Sequence, residues 1–301
     1  MPQRTYAIMG ATGKIGHVLV EELLKRGHQV RAIGRTKAKL AVLEAKGAKT
    51  YAAAFDDAAS LAKAFEGASA IFTMISPAYE VDDFSAWQDR TGEAIAQAIR
   101  QAKTTHVLSL SSIGAQWPSG TGPIAGLHRQ EKRLNAISGL NVLHLRPAYF
   151  MENQFWSIPT IKQHEINGSP MRGDLPLLMV ATRDIGQKAA DLLDRLEFSG
   201  HSVVEFSGPR PYTLNEATTL LGKAIGKPDL KYVQFSYEDA KKAMLGMGMK
   251  PGMAQLMVEM DQAFNEGRLV SEGKLLLGKT TFEEFAAIFA KAYQSPEPAP
   301  V

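Results

Sequence analysis

Three glycines, Gly10, Gly13 and Gly16, stand between a short apolar run and a helical pattern. Tyr6 to Met9 is long enough for one buried parallel strand. Ile15, Val18, Leu19 and Leu23 then recur at the spacing of one helix face. In that context each glycine has work that a side chain would forbid. Gly10 allows the tight turn, Gly13 lets the backbone approach a pyrophosphate, and Gly16 lets the helix pack close to the strand. The helix N-terminus then faces the phosphate charge. The spacing is G-x-x-G-x-x-G rather than G-x-G-x-x-G. Its meaning therefore rests on the strand before it and the helix after it. Without them it is a strand–helix turn that needs glycine for packing only.

The second chemical signal follows the second apolar segment, Gln29 to Ile33, at Gly34-Arg35-Thr36-Lys37-Ala38-Lys39. A protein that prefers NAD usually places an acid at the end of this strand, on the ribose hydroxyls. Here Arg35 occupies the position, with Lys37 and Lys39 close behind. Arginine pairs bidentately with a phosphate dianion, so the turn points to the 2′-phosphate of NADP. The bland alternative is a solvated basic turn at a helix start.

The elements that must hold these residues alternate. Helix is expected over Leu40–Lys46, a strand over Thr50–Ala54 ending at Asp56, and a helix over Leu61–Phe65 that Ser60 could cap. A strand follows over Ala70–Ile75, stopped by Ser76 and Pro77. A long helix spans Asp82–Lys103, and a strand over His106–Leu110 ends at Ser111 and Ser112. Gln116 to Gly126, with two prolines and three glycines, reads as a flexible loop of the kind that closes over a site. A helix over Leu127–Ile137 and a strand over Asn141–Leu145 complete the run. This alternation implies a doubly wound parallel α/β sheet, with ligands beyond the carboxyl ends of its strands. Gly10 to Gly16, Arg35, Asp56, Ser76 and Ser111/Ser112 all fall at such ends.

Beyond Pro147 the rhythm loosens. The stretch from Ala148 to Trp156 is aromatic and could line a cleft or pack under a loop. Helices are expected over Asp184–Leu196 and over Thr213–Ile225, the latter capped by Thr213 or Asn215. A strand is expected over Ser202–Phe206, after which the chain should leave the sheet. Met244, Met247, Met249, Met253, Met257 and Met260 would form either a mobile wall around an apolar substrate or ordinary core. Phe282, Phe285, Phe289 and Tyr293 mark a buried terminal helix, followed by a proline-rich tail over 295–301.

Composition excludes several classes. With 45% hydrophobic and 22% charged residues over 301 positions, the chain has the make-up of a globular protein with a large core. A net charge of only +3 with no basic run gives no sign of nucleic-acid binding. The absence of cysteine removes disulfides and thiolate chemistry and fits a reducing cytoplasm. No apolar run approaches the roughly 18 residues of a membrane span, and Met1-Pro-Gln-Arg leads straight into a core strand with no room for a signal peptide. The seven histidines show no metal-ligand spacing.

The chain to about Tyr293 resembles the NmrA-like branch of the atypical short-chain dehydrogenase/reductase superfamily. The likeness rests on Gly10-Ala-Thr-Gly13-Lys-Ile-Gly16 and on Gln101-Ala-Lys103 leading to His106-Val-Leu-Ser-Leu-Ser-Ser112. It rests also on His128-Arg-Gln-Glu131 with Leu134 and Ser138-Gly139-Leu140, and on Leu145-Arg146-Pro147-Ala-Tyr-Phe-Met-Glu-Asn153. The resemblance implies a Rossmann domain over 1–155 and about 180–210. A small C-terminal α/β lobe over 156–179 and 211–294 would take the substrate or a partner. It implies binding of NADP(H), with NAD(H) second. The contacts would come from Gly10, Ala11, Thr12, Gly13, Lys14, Ile15, Gly16, Arg35, Lys39, Asp56, Ile75, Ser76, Pro77, Ser111, Tyr149, Phe150 and Asn153.

One departure matters. The superfamily uses a tyrosine to donate a proton to the carbonyl, and a lysine four residues later to lower the tyrosine's pKa. Setting His128 on the lysine position puts Ile124 on the tyrosine position; setting Lys132 there puts His128 on the tyrosine. The branch favours the first frame, so the usual acid is missing. His128 is then the expected catalytic residue, touching the nicotinamide ribose or protonating the acceptor; the alternative is a helix histidine paired with Glu131. Ser112 matches the superfamily's substrate-orienting serine, or else caps local backbone. The leading expectation is an NADPH-dependent oxidoreductase acting on quinones or conjugated carbonyls, with a small apolar or aromatic acceptor. The rival is a non-catalytic NADP(H) sensor with a protein partner, and an NAD-using isomerase or epimerase is a weaker third. The oligomeric state is left open.

Overall fold

The computed structural model describes residues 3–295. The proline-rich tail expected over 295–301 lies outside them, apart from Ser295. The first half runs β1 (Thr5–Met9), α1 (Lys14–Lys25), β2 (Gln29–Gly34), α2 (Lys37–Glu44), β3 (Lys49–Ala52), α3 (Ala58–Phe65), β4 (Ala70–Thr73), α4 (Phe84–Ala102), β5 (His106–Leu110), α5 (Ile124–Asn135) and β6 (Asn141–Pro147). The second half runs β7 (Tyr149–Phe150), a 3-10 segment (Met151–Ser157), α6 (Ile158–His164), β8 (Ile166–Ser169), β9 (Leu177–Val180), α7 (Thr182–Arg195), β10 (His201–Ser207) and β11 (Pro211–Tyr212). It ends with α8 (Leu214–Ala224), β12 (Lys231–Gln234), α9 (Tyr237–Gly246), α10 (Pro251–Asn265), β13 (Leu275–Leu277) and α11 (Phe282–Gln294).

Eight strands form one sheet in the order β13-β10-β6-β5-β4-β1-β2-β3, with every pairing parallel. The order reverses at β1, between β4 and β2, which is where a doubly wound sheet opens a crevice for a ligand. Both faces are covered. Leu19, Val20 and Leu23 of α1 pack on one face with Ile185, Ala189 and Leu193 of α7. Ile95 and Ile99 of α4 pack on the other with Leu61 and Phe65 of α3. Each fully buried leucine of α1 contributes about 1.5–3 kcal/mol relative to an exposed one. A Cβ on Gly186 would press on the Ile15 carbonyl and Val18, so this glycine lets α7 lie directly on α1.

A second core joins Met151, Phe155, Met179, Tyr212, Leu221, Phe282, Phe285 and Phe289. It is served by two small sheets, β11-β9-β7 and β12-β8. The aromatic stretch after Pro147 therefore divides: Phe155 is core, while Tyr149 is half-buried and Trp156 is 40% exposed.

Several expectations are corrected. The cap of α3 is Asp57, one turn before the expected helix start, accepting from the Ser60 backbone N–H at 3.1 Å and from the Ser60 hydroxyl at 2.6 Å. The chain leaves the sheet after β10 but returns, since β13 pairs in parallel with β10. Of the six clustered methionines only Met253 is buried, and Met247 is 61% exposed, so they are not a core stripe. The loop before α5 is shorter than expected, because the helix starts at Ile124, and it is clamped. Arg268 donates to the Ser119 carbonyl at 3.1 Å, and the Trp117 indole donates to the Arg268 carbonyl at 3.2 Å. Gly122, at φ +57°, lies so close to the Leu256 carbonyl of α10 that a Cβ would overlap it. Gly122 thus serves a close approach between this loop and α10.

Candidate functional site

The turn after β1 is built by exclusion of side chains. Gly10 has φ +64°, and a Cβ there would overlap the sulfur of Met74 at the end of β4. A Cβ on Gly16 would overlap the Gly10 carbonyl oxygen. Gly13 donates to that same oxygen at 2.9 Å, which closes the turn. Gly13 is also the N-cap of α1, with no side-chain cap and no acid in the first turn. The first N–H groups of α1 are thus left for an anion. Ala11 and Ile15 are buried behind the turn, and Thr12 and Gly13 are exposed at its rim. Lys14 lies 5.6 Å from the Phe155 ring centroid. Burial lowers its pKa, and the charge of Glu152 opposes that shift.

The end of β2 offers only positive charge. Arg35, Lys37 and Lys39 are all exposed, and α2 starts with no acid in its first turn and no side-chain bond from its cap, Thr36. Gly34 lies beside the Thr12 methyl, which brings this basic turn next to the glycine turn. Asp56 is exposed at the end of the next strand-loop, after buried Phe55. Ile75 and Ser76 are half-buried and Pro77 is exposed beyond β4. The Ser76 hydroxyl is buried with no partner.

At β5 and β6 the site is made of side chains. His128 on α5 places Nδ1 2.8 Å from the Ala115 carbonyl oxygen. A carbonyl only accepts, so Nδ1 carries the hydrogen and neutral His128 presents Nε2 as a lone pair. That Nε2 is buried and has no partner among the described residues. The expected alternative, His128 paired with Glu131, does not occur. Glu131 is gripped instead by Arg146, at 2.9 and 2.6 Å, and by the Ser111 hydroxyl at 2.5 Å. Ser111 is therefore turned inward, into an ion pair that ties α5 to β6. The Ser112 hydroxyl donates to the Ile113 carbonyl at 2.9 Å, the local backbone contact that was its bland reading.

Tyr149, Phe150 and Asn153 are half-buried just past β6. The Tyr149 ring meets Phe264 of α10 edge-on at 5.8 Å, and burial pushes its hydroxyl pKa up. Among the described residues no group of three or more His, Asp or Glu could hold a metal, and no helix is long and apolar enough to cross a membrane.

One residue of this region escapes the sequence reading. Asp261 of α10 is 8% exposed, and burial lifts its pKa to about 7. A signal existed, because Asp261 falls four residues after Met257 and three after Val258, on the apolar face of its helix.

A nicotinamide dinucleotide fits these observations. The uncapped helix start suits a pyrophosphate, the acid-free basic turn suits a 2′-phosphate, and the orphaned His128 Nε2 suits a hydroxyl donor. Residues 2–286 match the model of the NmrA-like family. The chain is 28% identical over 274 residues to Quinone oxidoreductase 2 of Escherichia coli (strain K12), covering 90% of this chain and 91% of that protein. It is 28% identical over 257 residues to the NAD(P)H azoreductase of Xenophilus azovorans, covering 84% and 85%. Its structure superposes, with a TM-score of 0.81 and 27% identity, on that of an NADPH-dependent quinone oxidoreductase from Escherichia coli complexed with NADPH, covering 94% and 99%.

Proposed function

We propose, for a chain that belongs to the NmrA-like family, an NADPH-dependent oxidoreductase that reduces small aromatic acceptors, quinones or azo compounds. The observation that carries the cofactor is the junction of β1 and β2. There a turn that admits no Cβ at Gly10 or Gly16 adjoins a basic turn without an acid. The acceptor class comes from the relatives, whose names describe quinone and azo reduction. Both are reductases, which favours turnover over the sensor reading.

When bound, NADPH would supply a hydride at its nicotinamide ring. The chain's own residues hold and orient. The first N–H groups of α1 would hold the pyrophosphate, and Arg35 would pair with the 2′-phosphate. Thr12 and Lys39 would border the same end, and exposed Asp56 would be a further contact. Ser76 offers its orphaned hydroxyl along the crevice. His128 would accept a hydrogen bond from a ribose hydroxyl through Nε2, with Ala115 fixing its tautomer. Tyr149, Phe150 and Asn153 would close the cofactor end beside the acceptor, with α10 facing them. We read residues 156–179 and 211–294, apart from strand β13 in the main sheet, as the lobe that supplies the α10 side of this wall, and the cysteine-free chain as cytoplasmic.

The test is loss of the reduced nicotinamide's absorbance with a panel of quinones, conjugated aldehydes and azo dyes. Saturable oxidation by a quinone or an azo dye supports the reading. Tight binding of NADPH with no oxidation across the panel sinks it and returns the sensor.

A further inference from the structure

A hydride delivered to a quinone must be matched by a proton. In the tautomer set by Ala115, His128 presents a lone pair at Nε2. The facing wall is different. Asp261 is 8% exposed, and its carboxylate makes no hydrogen bond or ion pair with any described residue.

The helix that carries it bridges the mouth of the site. Met253, Leu256 and Met257 of α10 pack with Ala78 and Trp87, beyond β4. The Leu256 carbonyl and Met260 press on Gly122, beyond β5. Phe264 meets Tyr149, beyond β6. One helix thus packs against the segments that follow three adjacent strands. Asp261, four residues after Met257 and three before Phe264, shares their inward face.

The titratable groups facing Asp261 are the Tyr149 hydroxyl from β7 and the Tyr232 hydroxyl from β12, both with pKa values raised chiefly by burial. Among the described residues no cation compensates its charge; burial alone raises its pKa, to about 7. A carboxylate with little access to water and no described cation beside it gains nothing from its charge in a purely structural role, whereas a carboxylic acid poised near neutrality is suited to proton transfer.

We propose that Asp261 is the acid of the acceptor site, giving its carboxyl proton to a carbonyl oxygen or azo nitrogen of a neutral conjugated acceptor as the hydride arrives. The proposal rests on the reductase reading above. For a quinone, the hydride forms one new bond to the acceptor and its electron pair displaces charge onto the far carbonyl oxygen. The Asp261 O–H bond breaks, and its proton bonds to that oxygen. The products are the hydroquinone, NADP⁺ and the Asp261 carboxylate, which regains a proton from water.

The test pairs two acceptors. Menadione needs a hydride and a proton, whereas crystal violet, a carbocation, needs only the hydride. Asp261→Asn should lower menadione turnover at least about tenfold while changing crystal violet turnover less than about twofold, and Asp261→Glu should recover part of the loss. Wild-type menadione turnover should fall as pH rises through about 7, with that limb absent from Asp261→Asn. Two readouts do not depend on turnover. Calorimetric NADPH affinity should be unchanged in Asp261→Asn. The infrared band of a protonated carboxyl should vanish as pH rises through about 7 in the wild type and be absent from the variant. Unchanged menadione turnover, equal losses on both acceptors with normal NADPH affinity, or no carboxyl titrating near neutrality would each overturn the assignment of Asp261 alone. A wild type that binds NADPH but reduces neither acceptor would overturn the reductase reading and this proposal with it.

Discussion

The two ends of the crevice are built on different principles. At β1 and β2 the chain works by omission: glycines where no Cβ fits, a helix start without a cap, a turn without an acid. At β5, β6 and α10 it works by placement: His128 oriented by a carbonyl, Glu131 locked by Arg146 and Ser111, Asp261 left without a partner. A backbone cradle recognises what every dinucleotide shares and depends little on rotamers. A side-chain site is tuned residue by residue, which is how related chains on one fold come to reduce different acceptors.

The comparison breaks most completely at Gly16. Gly16→Val would drive a branched side chain into the Gly10 carbonyl and the Ala11 backbone. The expected outcome is no measurable NADPH binding by calorimetry, and retained affinity would mean the turn does not cradle the phosphates. His128→Ala touches the other end. It should lower kcat about a hundredfold by loosening the ribose while most NADPH affinity remains. Unchanged turnover would return His128 to a packing role. Arg35→Ala should weaken NADPH by roughly 10- to 150-fold, the worth of one hydrogen-bonded charge pair of about 1.5–3 kcal/mol, with NADH affinity within about twofold. Equal losses for both nucleotides would remove the 2′-phosphate assignment.

The smallest effect concerns the frame behind the site. His144 on β6 is buried with Nε2 2.9 Å from Asn135 Oδ1, and burial lowers its pKa to about 4. The unfolded chain binds this proton more readily than the folded one below the ordinary histidine value of 6.5, so stability is lost as pH falls from there towards 4. At about pH 5 the loss should be about 2 kcal/mol. A His144→Gln variant should show a shallower acid decline in urea melts, and identical slopes would exclude His144 as the cause.

The same contrast explains what could be read from the sequence. The glycine turn and the basic turn are legible because each requirement lies in contiguous residues: a strand, three glycines, a helix face, then Arg35 at the next strand end. The terminal helix was legible too, since Phe282, Phe285 and Phe289 repeat at helical spacing and are fully buried. The acceptor end was not. Ser111 was expected at the cofactor, yet Glu131, twenty residues away, takes its hydroxyl. Asp261 reads as one acid among methionines until α10 is packed against the segments that follow the strands. Strand β13 is three leucines long, too short to announce itself, and exists because β10 offers an open edge. Gly120 and Gly122 suggested a flexible loop, whereas their partners, Arg268 and Leu256, lie far along the chain.

The most direct test of the account is a single turnover. Protein preloaded with NADPH is mixed rapidly with menadione, and the loss of reduced-nicotinamide absorbance is followed. The account predicts a rate that saturates with menadione and exceeds that of free NADPH at the same concentrations. A rate that stays linear in menadione and matches free NADPH would contradict it, and would leave a chain that binds the dinucleotide without using its hydride.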